Sequence, residues 1–207
     1  GEVMLKYHSL DADASVELER NGWVAIQNDF ESRGEFQIVV QHTTARLGRP
    51  VADRGSNKFQ AIQPISHSDA HPSSLSAIYG RSQFPLHIDT AHWPTPCRYV
   101  VLACLEPGNS QVCTYLNDCI TTPFSRDQAV VLRDGLFHVQ NGRKSFYSTV
   151  SSSMRKYFRF DPGCMKPMND AAHGAIEIFR ERFTSSVEFK WNRGTILILD
   201  NWRVLHG

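Results

Sequence analysis

Three side chains in this sequence have the types and the setting to hold a metal ion. His87 and Asp89 lie two residues apart in the apolar stretch Phe84 to Asp89, Phe-Pro-Leu-His-Ile-Asp. On an extended chain, residues i and i+2 face the same side. That spacing puts an imidazole beside a carboxylate. The third is His206, delivered by Gly-Thr-Ile-Leu-Ile-Leu-Asp-Asn-Trp-Arg-Val-Leu-His-Gly, Gly194 to Gly207. Two imidazoles and one carboxylate make a facial donor set suited to non-haem Fe(II), and they leave the opposite face of the metal open.

The two segments are far apart in sequence, so a fold must bring them together. From residue 84 onward strand signals dominate: Phe84 to Asp89, Arg98 to Leu105, Gln111 to Leu116, Leu136 to Gln140, Phe146 to Ser151, Lys156 to Phe160, Val187 to Trp191 and Thr195 to Leu199. Gly, Pro and Asn punctuate them, as turn residues do. Ahead of these, Trp23 to Gln27 and Asn57 to Ile65 read as strands. Helical patterns cover 12–21, 31–47, 125–133 and 170–184. The last carries an apolar stripe of Ala172, Ile176, Phe179 and Phe183, with Asn169 or Asp170 as the cap. The expected fold is mainly β with flanking helices, around a double-stranded β-helix, or jelly-roll, core.

At 207 residues the chain fits one domain, spanning 1–207, with a core that needs no staples. Its net charge of +1 gives no field that favours nucleic acid or an anionic membrane. The longest apolar runs are too short to span a bilayer, and the first residues do not read as a leader. Five cysteines without a Cys-x-x-Cys spacing are expected to be free thiols in a reducing, cytoplasmic setting. The expected partner is a small-molecule substrate, with neither nucleic acid nor membrane.

Other residues compete for the same roles. His67-Ser-Asp69 repeats the His-x-Asp spacing, but in a Ser- and Pro-rich loop. His71 and His92 read as polar loop residues. His138 and His173 are alternatives for the distal ligand and lack the Asn-Trp-Arg-Val-Leu-His context. The loop over 66–83 leads into the metal segment and is placed to line a substrate pocket, with Ser76, Tyr79 and Arg81 as candidates. Arg159, between Phe158 and Phe160, is a candidate for a substrate carboxylate. Asn201, Trp202 and Arg203 are expected to position the strand that carries His206.

Taken together, Phe-Pro-Leu-His-Ile-Asp, the Arg98 to Gly108 strand and turn, and Asp-Asn-Trp-Arg-Val-Leu-His-Gly (Asp200 to Gly207) resemble the Fe(II)/2-oxoglutarate-dependent dioxygenases of the taurine dioxygenase and clavaminate synthase-like branch. Gly-Trp-Val-Ala-Ile and Arg46 to Pro50 are similar to the opening elements of that branch. The resemblance implies that His87, Asp89 and His206 hold Fe(II), and that 2-oxoglutarate and O2 are cosubstrates. It also implies that Thr114, which lies 27 residues after His87, contacts the 2-oxoglutarate carboxylate. The implied reaction hydroxylates a C–H bond, or desaturates or cyclises, while 2-oxoglutarate becomes succinate and carbon dioxide. A carboxylate at Asp89, where halogenating relatives have a small residue, points away from halogenation.

The family's arginine for the far carboxylate of 2-oxoglutarate follows the distal histidine, and the sequence stops at Gly207. The expectation is therefore a domain that lacks its C-terminal tail. The expected substrate is a small polar metabolite, an amino acid or a natural-product intermediate. Two other classes use the same residues: a metal-dependent hydrolase or isomerase with an activated water, and a non-catalytic small-molecule binding module.

Overall fold

The computed structural model describes residues 10–51, 62, 68–69, 83–108 and 112–207. The chain opens with α1 (Ala12–Asn21), β1 (Trp23–Gln27) and α2 (Arg33–Leu47). Asp11 caps α1 by accepting from Ala14 N, and Ser32 caps α2 by accepting from Glu35 N. Then come β2 (Tyr99–Ala103), β3 (Cys113–Asp118), α3 (Arg126–Asp134), β4 (Phe137–Asn141), β5 (Lys144–Ser148) and β6 (Met165–Pro167). Ser125 and Gln128 form a reciprocal capping box at the start of α3. The chain closes with α4 (Asp170–Arg182), a short 3-10 turn (Phe183–Ser185), β7 (Val187–Lys190), β8 (Thr195–Asp200) and β9 (Val204–His206).

Among the described residues, the strands form three antiparallel sheets, in the orders β1-β8-β2, β7-β3-β9 and β5-β4-β6. The sequence of β8, Thr-Ile-Leu-Ile-Leu-Asp, explains its central place. Ile196 and Ile198 point to the helical side and pack with Phe36, Val39 and Val40 of α2. Leu197 and Leu199 point the other way and pack with Leu116 of β3 and Val204 of β9. A strand buried on both faces reads as a continuous apolar run, and all four of these residues are fully buried. Each contributes about 1.5–3 kcal/mol by leaving water. That packing fixes β8 against the sheet that carries His206.

Gly194 makes the turn into β8 possible. Its φ is 85°, and a Cβ there would lie 1.8 Å from the main-chain oxygen of Asn28. Only glycine fits that approach.

All four expected helices form, within two residues of their expected bounds. Two strand expectations differ. Phe84 to Asp89 makes only an isolated bridge at His87, because Pro85 has no N–H and the chain turns at Asp89. Residues 156–160 are extended but form no strand, and their main-chain bonds go to three separate segments. The short strands β6 and β9 had no clear signal of their own. The strand expected over 57–65 lies outside the described residues except for Ile62. Among the described residues, no helix is long and apolar enough to cross a membrane.

Candidate metal centre

His206 ends β9, which pairs with β3 so that His206 stands opposite Leu116. On the other side of β9 lies His87, and the two histidines are directly paired through their main chains. The pairing places both imidazoles side by side, with ring centroids 4.7 Å apart. Asp89 follows two residues later. Its Oδ1 is 3.6 Å from His87 Nε2 and 3.5 Å from His206 Nε2. Among the described residues, these three form the group of metal-ligating side chains whose donor atoms lie within 4.8 Å of one another.

Those separations are too long for good hydrogen bonds, and they suit donors that share a central cation. The protonation chemistry agrees. His87 Nδ1 lies 2.9 Å from Pro85 O, a partner that only accepts, so Nδ1 carries the proton and Nε2 offers a lone pair. Burial alone would raise the Asp89 carboxyl, but the two facing imidazoles hold it well below the usual carboxylate range. Burial would lower His87, yet Asp89 more than offsets this and raises it. A carboxylate held ionised between two imidazoles fits a divalent first-row metal. The side chain of Asp89 is 42% exposed while those of His87 and His206 are 11% and 8% exposed. The open side of the centre is therefore the carboxylate side.

Thr114 sits on β3, on the same face as Leu116 and two residues from it. Its Oγ1 accepts a 2.9 Å hydrogen bond from Trp191 Nε1. That bond occupies a lone pair and leaves the hydroxyl proton for an acceptor.

Arg159 departs from expectation. It is only 2% exposed. Its guanidinium donates to the main-chain oxygens of Ala91 and Trp93 from Nη1, and to Pro94 O at 2.8 Å from Nη2. Both terminal nitrogens are committed to the loop that follows Asp89, so Arg159 holds that loop instead of a substrate carboxylate. His138 lies on β4 against the Tyr147 ring, and His173 is exposed on α4, both apart from the metal group. His92 packs edge-on to Trp93. Ser76, Tyr79 and Arg81, with His67 and His71, lie outside the described residues. His87, Asp89 and His206 do not line the cleft of about 620 Å³ formed by residues of α1, α2, β2 and β8. Donor convergence places the chemistry, not cavity size.

Two features at the centre had no distinct signal in the sequence. The Asn201 side chain binds the main chain of Asp89. Thr90, directly after Asp89, has a left-handed backbone.

Residues 114–207 match the family described as taurine catabolism dioxygenase TauD, TfdA family. This stretch holds Thr114 and His206. The C-terminal part of the chain is thus similar to the TauD/TfdA family. No curated protein matches the chain by sequence. Among solved structures, the non-heme iron oxygenase OrfP in complex with Fe is similar at a TM-score of 0.69 and 19% identity, over 94% of this chain and 70% of that one. An asparagine oxygenase in complex with Fe(II), 2S,3S-3-hydroxyasparagine and succinate is similar at 0.53 and 15% identity, over 62% of this chain and 45% of that one. The chain thus spans about half of the asparagine oxygenase. At these identities the likeness is one of fold, and it extends beyond residues 114–207 to the part that carries His87 and Asp89.

Proposed function

We propose that this chain is an Fe(II)/2-oxoglutarate-dependent oxygenase, an oxidoreductase that hydroxylates a C–H bond of a free amino acid or a similar small polar metabolite. The observation that carries this reading is the convergence of His87, Asp89 and His206 on one point, with the carboxylate side open. The TauD/TfdA pattern over 114–207 supports it independently. OrfP has been solved in complex with Fe and alpha-ketoglutaric acid, and with Fe, succinate and (3S)-hydroxy-L-Arg. Together with the hydroxyasparagine complex, these support an amino acid as substrate. The fold is read as a jelly roll formed by one domain over 1–207.

His87 Nε2, His206 Nε2 and the Asp89 carboxylate hold the metal. Bound Fe(II), with 2-oxoglutarate and O2, supplies the oxidising power, and 2-oxoglutarate leaves as succinate and carbon dioxide. The protein's part is to bind and orient. The Thr114 hydroxyl, steered by Trp191, donates to a 2-oxoglutarate carboxylate. Pro85 O fixes the His87 tautomer. Ser76 and Tyr79 remain the proposed substrate contacts. Leu116, paired opposite His206, and Val204 pack in an apolar cluster on the face of the sheet that presents the imidazole. Cys104, Cys119 and Cys164 are free thiols, which supports a cytoplasmic setting.

The test is O2- and Fe(II)-dependent succinate release across a panel of free amino acids that includes basic and amide side chains. The expected result is succinate matched by a product one oxygen heavier. Succinate-free incubations across the whole panel, with Fe(II) bound, would overturn the reading.

A further inference from the structure

The two metal-binding segments are locked together at a second place besides the histidine pair. Asn201, in the turn between β8 and β9, is fully buried. Its Oδ1 accepts from Asp89 N at 2.8 Å. Its Nδ2 donates to Asp89 O at 2.9 Å and to Cys97 O at 2.8 Å. One side-chain amide thus satisfies both main-chain groups of the ligand residue, as a neighbouring strand would. The next residue, Thr90, has φ 56°, and among the described residues it is the non-glycine with positive φ. A β-branched residue in that region is an outlier, and it persists only where its surroundings over-determine it. Here they do. Thr90 Oγ1 donates to Asp89 O at 2.7 Å and accepts from Cys97 N at 2.8 Å. Arg159 grips the carbonyls of Ala91, Trp93 and Pro94 just beyond.

We propose that Asn201 and Thr90 are positioning residues for the metal site: they clamp the Asp89–Thr90 turn so that the carboxylate meets both imidazoles before any ion arrives. This rests on the metal-binding reading above. It differs from the sequence expectation that Asn201 serves the strand of His206, because the contact is with the other metal segment, through Asp89. Asp89 needs the clamp more than the histidines do. Its side chain is the most exposed of the three, and its turn lacks the strand pairing that holds the imidazoles.

The clamp acts through Asp89, and that separates it from a general role in folding. The probe is Co(II), whose visible absorption reports entry into an imidazole and carboxylate site. Titrations compare the wild type, Asn201→Ala, Asp89→Ala and the double variant, with circular dichroism and thermal melts of the metal-free proteins alongside. Asn201→Ala is expected to weaken Co(II) binding roughly 10- to 100-fold. In the Asp89→Ala background the same change should have no further effect, which is the coupling of residues that act as a unit. Should Asn201→Ala fail to fold, Thr90→Gly carries the same cycle. Glycine accepts the left-handed backbone without strain, so this variant keeps the fold while losing the hydroxyl, and it should bind Co(II) several-fold more weakly only when Asp89 is present. Wild-type affinity in the folded variants, or an equal loss with and without Asp89, overturns the proposal. If the wild type itself takes up no Co(II), the metal reading has failed and the clamp falls with it.

Discussion

His87 and His206 exchange both main-chain hydrogen bonds, His87 N to His206 O at 3.0 Å and His206 N to His87 O at 2.9 Å. The relationship makes the candidate metal site a property of the backbone before it is one of side chains. Directly opposed residues in an antiparallel pair present their side chains on the same face. The register alone therefore brings two imidazoles from distant parts of the chain together. A slip of one residue would turn one of them to the other face.

Gly207 protects that register. A Cβ there would lie 2.7 Å from Phe84 O and 2.9 Å from Pro85 O, both main-chain atoms. Gly207→Ala should wedge the pair apart, destabilise the fold by about 1–3 kcal/mol and weaken metal binding. Urea denaturation and a Co(II) titration of the variant check this. An unchanged midpoint would show that the segment at 84–85 yields without consequence.

Arg159 should behave as a structural cation. Replacing it with Met leaves the carbonyls of Ala91 and Trp93 without their side-chain donor, while Pro94 O keeps the Tyr157 hydroxyl. The expected loss is about 1–3 kcal/mol for each oxygen left buried and unpaired. Lys in its place cannot reproduce the fork and should recover only part. Chemical denaturation of both variants measures the order wild type, Lys, Met. A Met variant as stable as the wild type would return Arg159 to the list of substrate contacts.

Acid stability should depend on Asp118. Burial alone would raise its carboxyl, but the Arg203 guanidinium, with the N–H groups of Ile120 and Thr121, holds it below its ordinary value of 3.8. The folded state thus binds the proton less readily than the unfolded state. The pair contributes stability that is fully present above pH 3.8, and that is lost as pH falls through the depressed folded value. Unfolding free energies measured between neutral pH and the acid limb should fall with pH in the wild type. Asp118→Asn should be less stable at neutral pH and show a shallower acid slope. An identical slope in both would remove Asp118 from the account.

Much of this was legible in the sequence, for physical reasons. A cap such as Asn169 and the apolar run of β8 act locally, so helices and the buried strand could be read directly. The candidate donors could be singled out because few residue types bind a metal and their spacing is constrained, and the fold brings the three together. Arg159 was misplaced because alternation gives the face of a strand, and residues 156–160 are not one. Thr90 was invisible because nothing in a threonine announces a positive φ. That conformation comes from Asn201, Cys97 and Arg159, contacts made across the fold.

The central claim is that His87, Asp89 and His206 hold one ferrous ion. Anaerobic calorimetric titration with Fe(II) tests it most directly, on the wild type and on His206→Ala. The account predicts one ion per chain in the wild type and binding lost or greatly weakened in the variant. Equal binding in both proteins, or none in the wild type, would contradict it.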